Sequence, residues 1–162
     1  MQYELAPHSK YPSQISLCIE VLQYTPQTLQ KNPSKITLAG DSAGGTLVMS
    51  VISHILHPRP NIKYVTLSAP LKAAAIFSPW VNIRMDGTSV MKNHRQDPVT
   101  VEVMKGWAQK YLGKAPLDFY SQPCIAPSEW WRGMPAEQLL ITDAAREMLA
   151  DDLVTFLETM KV

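Results

Sequence analysis

The segment Gly40-Asp41-Ser42-Ala43-Gly44-Gly45 constrains the fold of this chain more than any other stretch. It follows the short apolar run 35–39, which is bounded upstream by Asn32-Pro33 and is typical of a β-strand. It precedes residues 46–57, whose apolar side chains recur at helical spacing until Pro58. The pattern predicts a strand that turns sharply into a helix, with Ser42 at the apex of the turn.

The glycines of this turn have a steric role. Because the turn strains the serine backbone and crowds its neighbours, we expect Gly40 and Gly44 to stand where any Cβ would clash. Ser42 Oγ is then presented at the start of the helix, and the backbone N–H of Ala43 points to the place where an oxyanion would form. The alternative is a glycine-rich turn whose serine has no chemical role, but the strand before it and the helix after it argue against that.

Strand and helix patterns alternate along the chain and predict a single domain over residues 1–162. We expect Ser13 and Asp97 to be helix N-caps, Pro26 to end the first predicted helix and Gly113 to end the third. The alternation indicates an α/β fold with a mostly parallel sheet and flanking helices. The predicted strands are 35–39, 73–77 and 138–142, and the predicted helices are 13–26, 46–57, 97–113 and 153–160.

The composition excludes several classes of protein. Acidic and basic residues are interspersed with a formal net charge of +1, so no nucleic-acid partner and no anionic membrane is indicated. Cys18 and Cys124 are too few and too scattered for a disulfide framework or a zinc site, so we expect free thiols, no metal and no cofactor. No apolar run approaches the ~18 residues of a transmembrane segment. The first residues lack a signal-peptide pattern, which favours a cytoplasmic location.

Several segments resemble one known family. Gly-Asp-Ser-Ala-Gly-Gly at 40–45 is similar to the signature of the hormone-sensitive-lipase branch of the α/β-hydrolases. Tyr3-Glu4-Leu5-Ala6-Pro7 and Ser78-Pro79-Trp80 resemble two further segments of that branch, although Glu4 replaces its usual arginine. Ala-Pro-Ser-Glu-Trp-Trp at 126–131 is similar to the fungal steryl-acetyl-hydrolase-like group within it. The resemblance implies a partial α/β-hydrolase fold and a serine hydrolase whose partner is a small-molecule ester, such as an acetyl ester of a sterol or a secondary metabolite.

The resemblance also implies an acid after the third strand, because in this fold the serine, the acid and the histidine follow in that order. Glu147 occupies this place in Glu-Met-Leu-Ala-Asp-Asp at 147–152, where relatives have acid-x-Leu-x-Asp-Asp. We expect it at the same sheet edge as Ser42. Asp143 is the alternative acid, and a solvated turn carboxylate is the alternative role for Glu147. Asp151 and Asp152 are expected to interact with the dipole of the following helix.

Two parts of the family's catalytic apparatus are missing from these 162 residues. No His-Gly-Gly-Gly-type loop, whose N–H groups complete the oxyanion hole, precedes the turn. All four histidines, His8, His54, His57 and His94, precede the acid. Only His94, in the loop after Trp80, has a position from which it could approach Ser42, and we do not expect it to do so. The resemblance therefore implies a domain truncated at both ends. One hypothesis is an ester hydrolase whose histidine lies outside this chain; the other is a truncated, inactive paralogue that acts at most as a binding module.

The tryptophans are assigned mainly structural roles. We expect Trp80 to plug the region after the second strand, and Trp130 and Trp131 to fix their loop by burial. In related enzymes the helix at 97–113 borders the substrate pocket, so Met104 and Trp107 are candidates to line an apolar acyl or sterol site. The alternative is that both belong to the buried face of an amphipathic helix.

Overall fold

The structure is a computed structural model that describes residues 1–160. Within this range the α-helices are α1 (Ser13–Gln27), α2 (Ala43–Leu56), α3 (Thr88–Asn93), α4 (Val101–Leu112) and α5 (Ala150–Met160). The strands are β1 (Thr37–Asp41), β2 (Ala73–Phe77) and β3 (Leu139–Thr142). One-turn 3₁₀ helices cover Pro33–Lys35, Pro123–Ile125 and Ser128–Trp131.

The three strands form one parallel sheet in the order β1-β2-β3. Asp41 pairs with Phe77, and Phe77 with Thr142, so the carboxyl ends of all three strands lie at one edge of the sheet. The turns that follow the strands therefore start from the same edge. The predicted α/β fold with a parallel sheet and flanking helices is confirmed.

Helix α2 is the centre of the core. Ten consecutive residues from Gly45 to His54 are buried, as expected for a helix that is packed on all sides. Leu47 and Val51 belong to a cluster with the apolar side chains of α1, and Val48 and Ile52 belong to a second cluster with those of β2 and α5. The sharp turn between β1 and α2 with Ser42 at its apex, called the elbow below, is therefore anchored on a rigid helix.

Both expected N-caps, Ser13 and Asp97, are wrong. Ser13 is the first helical residue of α1 rather than its cap, and Pro26 lies inside the last turn of that helix. Thr100 caps α4, accepting a hydrogen bond from the backbone N–H of Val103 at 3.3 Å. The Asp97 carboxylate instead accepts hydrogen bonds from the backbone N–H groups of Val99 and Met148, both at 3.2 Å. Gly113 ends α4 with φ of 61°, as predicted.

The adjacent tryptophans fix their loop, as expected. The Trp130 ring stacks on His57 with ring centroids 3.7 Å apart, and its Nε1–H donates to Ser53 Oγ at 3.2 Å. Trp131 is buried and makes an edge contact with Phe156. No helix within residues 1–160 combines the length and the hydropathy needed to cross a membrane.

Candidate active site

Ser42 lies between the last residue of β1 and the first residue of α2, with φ of 52° and ψ of −116°. Residues with a Cβ rarely adopt this positive-φ region, so the predicted strained backbone at the elbow is confirmed. The backbone holds it firmly, because the Ser42 N–H donates to the Phe77 carbonyl oxygen at 2.9 Å and the Ser42 carbonyl oxygen accepts from Thr46 N–H at 3.1 Å. The side chain makes no cap hydrogen bond with the helix. The hydroxyl is therefore left for another partner.

The steric expectation for the glycines is half right. A Cβ on Gly40 would overlap the carbonyl group of Gly44, so only glycine fits there. A Cβ on Gly44 would meet nothing within 4 Å, which contradicts the expected clash at that position. The second crowded glycine is Gly45, whose Cβ would come within 2.9 Å of Ile76 and Pro79. This second close contact is between α2 and both β2, at Ile76, and the loop after β2, at Pro79.

Ala43 is the first residue of α2. The N–H groups of the first helical turn have no acceptor inside the helix, and the helix dipole makes this end electropositive. Ala43 and Ser42 both line the same pocket. The Ala43 N–H therefore lies at the electropositive end of α2, in a residue that lines the pocket.

The pocket beside Ser42 has a volume of about 290 Å³ and mostly apolar walls. Met104 and Trp107 of α4 line it, in agreement with the expectation that this helix borders a pocket. Trp107 is 50 % exposed and Leu5, which also lines the pocket, is 68 % exposed. The two side chains therefore present large apolar groups to solvent beside Ser42. Such exposure is typical of a binding site for an apolar ligand.

Some polar groups of the residues that line the pocket bond to the protein, whereas Gln14 Oε1 and Tyr111 OH are shielded from solvent and have no hydrogen-bond partner among residues 1–160. Thr46 Oγ1 donates to the Trp80 carbonyl oxygen at 2.8 Å. Gln14 Nε2 donates to the Ser9 carbonyl oxygen at 3.1 Å. Trp80 is buried, as a structural plug should be, but it also forms part of the pocket wall. Because Leu5, Gln14 and Thr46 come from segments far apart in the chain, sequence patterns alone did not assign them to the pocket.

Glu147 lies in the turn between β3 and α5 and is half-buried. Its Oε2 is shielded from solvent and has no hydrogen-bond partner among residues 1–160. Asp143, the alternative acid, is exposed. An unpaired, shielded carboxylate oxygen is costly unless a partner fills the gap.

Asp151 and Asp152 lie in the first turn of α5, where the helix dipole favours negative charge. For Asp152 a second effect opposes this one: burial raises the pKa of its carboxyl group, and the nearby Asp86 and Asp151 carboxylates add to the rise, although a hydrogen bond to Asn82 lowers it. No group of three or more His, Cys, Asp or Glu side chains in the described range is arranged to hold a metal ion.

None of the four histidines lines the pocket. His54 is buried, with its Nε2 2.9 Å from the Lys63 carbonyl oxygen, and the His57 Nε2 is 2.8 Å from the Trp130 carbonyl oxygen. His94, the one histidine whose position in the sequence could bring it near Ser42, is exposed, and its Nδ1 is 2.9 Å from the Met91 carbonyl oxygen. The loop carries His94 to the surface.

Comparison with known proteins gives a consistent result. The family model described as the alpha/beta hydrolase fold matches residues 1–162. An acetyl-hydrolase from Streptomyces hygroscopicus is 27% identical over 158 residues, which are 94% of this chain and 47% of that protein. The chain thus spans about half the length of this curated relative.

Solved structures are similar over nearly the whole chain. An esterase from the bacterial hormone-sensitive lipase (HSL) family superposes with a TM-score of 0.81 and 28% identity, over 99% of this chain and 50% of that chain. An esterase/lipase from an uncultured bacterium superposes with a TM-score of 0.80 and 25% identity over the same shares. A hormone-sensitive lipase from a metagenome library, 21% identical with a TM-score of 0.80 over 97% of this chain and 50% of its own, shares the fold.

Proposed function

Because this chain belongs to the α/β-hydrolase fold family, we propose that it carries the nucleophile and the acid of a serine ester hydrolase. The observation that carries this proposal is the geometry of Ser42. Its side chain makes no cap hydrogen bond with α2, its backbone is strained, and it lines an apolar pocket. Such backbone strain costs about 1–3 kcal/mol and persists mainly where function needs it.

The proposed chemistry is acyl transfer in two steps. Ser42 Oγ attacks the ester carbonyl carbon while an imidazole takes its proton, and the Ala43 N–H donates to the oxyanion that forms. The imidazole returns the proton to the leaving alcohol, and water then hydrolyses the acyl-serine by the same route. Glu147 orients the imidazole and stabilises its positive form. The imidazole is proposed to come from outside this chain, because the four histidines have other partners or positions.

The substrate is proposed to be an ester with an apolar body. The walls contributed by Met104, Trp107 and Leu5 support this, since they bind by excluding water and not by directional hydrogen bonds. The name of the Streptomyces relative, an acetyl-hydrolase, supports acetyl as the acyl group. A sterol or a hydrophobic secondary metabolite is the class of alcohol that the sequence resemblance favours.

A second candidate function is a binding module without catalysis. The specific observation that favours it is that no histidine lines the pocket beside Ser42. The same pocket would then bind the hydrophobic ligand and release it unchanged. The two candidates differ in whether Ser42 reacts once a base is supplied.

The test is hydrolysis of p-nitrophenyl acetate by the 162-residue chain, with and without imidazole added to the buffer. Since free imidazole hydrolyses this ester by itself, the measured quantity is the difference between the parent chain and its Ser42→Ala variant. Without imidazole we expect no difference, because a serine without its base loses most of its rate. With imidazole we expect a Ser42-dependent increment that saturates with ester concentration. Equal rates for both chains at every imidazole concentration would favour the binding module.

A further inference from the structure

We propose that Ser89, Asn93 and Asp97 form a clamp that positions Glu147 for its role as the acid. The proposal rests on the function proposed above and concerns residues that the sequence analysis does not assign to the site. The three side chains come from α3 and from the loop that joins α3 to α4. In the following they are called the 89–97 clamp.

Each member of the 89–97 clamp holds the backbone of the turn that carries Glu147. Asn93 Nδ2 donates to the carbonyl oxygen of Glu147 itself at 2.8 Å. Asp97 Oδ2 accepts from the backbone N–H of Met148 at 3.2 Å. The peptide group between Glu147 and Met148 is therefore held on both sides, at its oxygen and at its nitrogen.

Ser89 closes the clamp one residue further along. Its Oγ donates to the Met148 carbonyl oxygen at 2.6 Å and accepts from the Asp151 N–H at 3.2 Å. Because Ser89 is buried, water has little access to its hydroxyl, and both hydrogen bonds go to the turn. Such bonds between buried groups are costly to break, since the abandoned partners stay unpaired.

Packing joins the same turn to the pocket wall. Met148 and Leu149 are buried in a cluster with Trp80, Ile83 and Met104, and these last three line the pocket beside Ser42. The turn after β3 is thus fixed to the elements that surround the nucleophile. By contrast, the Glu147 carboxylate has one shielded oxygen without a partner.

This combination is what an acid in a triad requires. The backbone is fixed by three side chains and by packing, while the carboxylate remains available to a donor from elsewhere. Orientation of this kind lowers the entropy that must be lost when the reacting groups meet. A turn that served only to connect β3 to α5 would not need the double grip on one peptide group.

The first measurement is amide hydrogen exchange on the 162-residue chain, read by NMR at Met148 and Asp151. Asn93→Ala and Asp97→Ala are expected to speed exchange at these amides at least about fivefold while exchange in the middle of α2 stays unchanged. Asp97→Asn keeps an oxygen acceptor and is expected to restore most of the protection. Gln96→Ala, an exposed neighbour between the two, is the matched control. Unchanged exchange in both alanine variants would overturn the clamp.

The second measurement separates positioning from mere support of the fold. In the imidazole-assisted assay, Asn93→Ala and Asp97→Ala are expected to lower the Ser42-dependent kcat about tenfold with KM unchanged, and Asp97→Asn to recover most of it. Faster exchange with unchanged kcat would overturn the positioning role. If the parent chain itself shows no Ser42-dependent turnover, the proposed function fails, and the clamp is then decided by exchange alone.

Discussion

The backbone N–H of Trp80 donates a hydrogen bond to the carbonyl oxygen of Ser42 at 3.2 Å. This bond ties the loop after β2 to the apex of the elbow, and the Trp80 side chain in turn forms part of the pocket wall. The contact is close because Gly45, three residues after Ser42, lets Pro79 approach the first turn of α2. The nucleophile and the pocket are therefore held by one packed unit, and its parts can be tested separately.

The first prediction concerns the two glycines of that turn. Gly45→Ala is expected to lower the free energy of unfolding by about 1–3 kcal/mol, because the new Cβ would press on Ile76 and Pro79. Gly44→Ala is the matched control: its Cβ meets nothing, and alanine favours helix, so stability should stay equal or rise by up to about 1 kcal/mol. Urea unfolding followed by circular dichroism measures both. Equal losses at the two positions would contradict the observed packing.

The second prediction concerns strain at the nucleophile. Ser42→Gly is expected to be more stable to unfolding than Ser42→Ala by about 1 kcal/mol, because glycine adopts φ of 52° without the steric cost of a Cβ. Both variants lack the hydroxyl, so the difference reports the backbone alone. The order is read from the two urea midpoints. If alanine proved the more stable replacement, the elbow would not be strained.

The fold is predictable from the sequence where local patterns decide it. The strand before Ser42, the helix after it and the strand at 73–77 follow from apolar spacing and from proline and glycine positions, and the structure has all three. The need for glycine at Gly45 was not predictable, because the crowding comes from Ile76 and Pro79, more than 30 residues away. The sequence likewise predicts an N-cap role for Asp97, which is wrong. Its partner Met148 lies 51 residues further along the chain, so no local pattern reveals the contact.

The candidate site also combines residues that local patterns predict with residues that only long-range packing brings into place. Ser42 and Ala43 are parts of a continuous motif, and Glu147 was identified through the order and spacing of a family resemblance. The surface position of His94 depends on how a whole loop packs, which no local pattern encodes. The 89–97 clamp consists of polar side chains in a polar segment, and only the turn that they hold distinguishes them from solvated residues.

The third prediction contrasts two tryptophans. Trp130→Ala is expected to destabilise the fold by about 3 kcal/mol, since it removes the stacking on His57 and the hydrogen bond to Ser53. Trp107→Ala is expected to change stability by less than about 1 kcal/mol, because the ring is half exposed, but to weaken binding of 2-naphthol several-fold. Thermal unfolding measures the change in stability. An NMR titration that does not rely on tryptophan signals measures the affinity for 2-naphthol. A Trp107→Ala variant with unaltered 2-naphthol affinity would remove this side chain from the ligand site.

The fourth prediction concerns the free thiols. Burial raises the pKa of Cys18 to about 11 and, with repulsion from the Asp152 carboxylate, the pKa of Cys124 to about 11, above the ordinary 9.0. Alkylation by iodoacetamide at pH 8 is therefore expected to be roughly hundredfold slower in the folded chain than in urea. Because the folded chain holds these protons more tightly, their contribution to stability is full below pH 9.0 and is lost as the pH rises through about 11. Rapid alkylation of both cysteines in the folded chain at pH 8 would show accessible thiolates instead.

The last prediction addresses the pairing of Ser42 with Glu147 around one imidazole. It uses the imidazole-assisted, Ser42-dependent hydrolysis of p-nitrophenyl acetate and compares Glu147→Gln with Asp143→Asn. The second variant makes the same carboxylate-to-amide change in the alternative acid. Glutamine keeps the shape of the side chain but removes the negative charge that would stabilise the imidazolium. The expected result is a fall of at least about tenfold in the Ser42-dependent kcat for Glu147→Gln and an unchanged rate for Asp143→Asn. A loss confined to Asp143→Asn, or equal rates in all three chains, would contradict the assignment of Glu147 as the acid that serves Ser42.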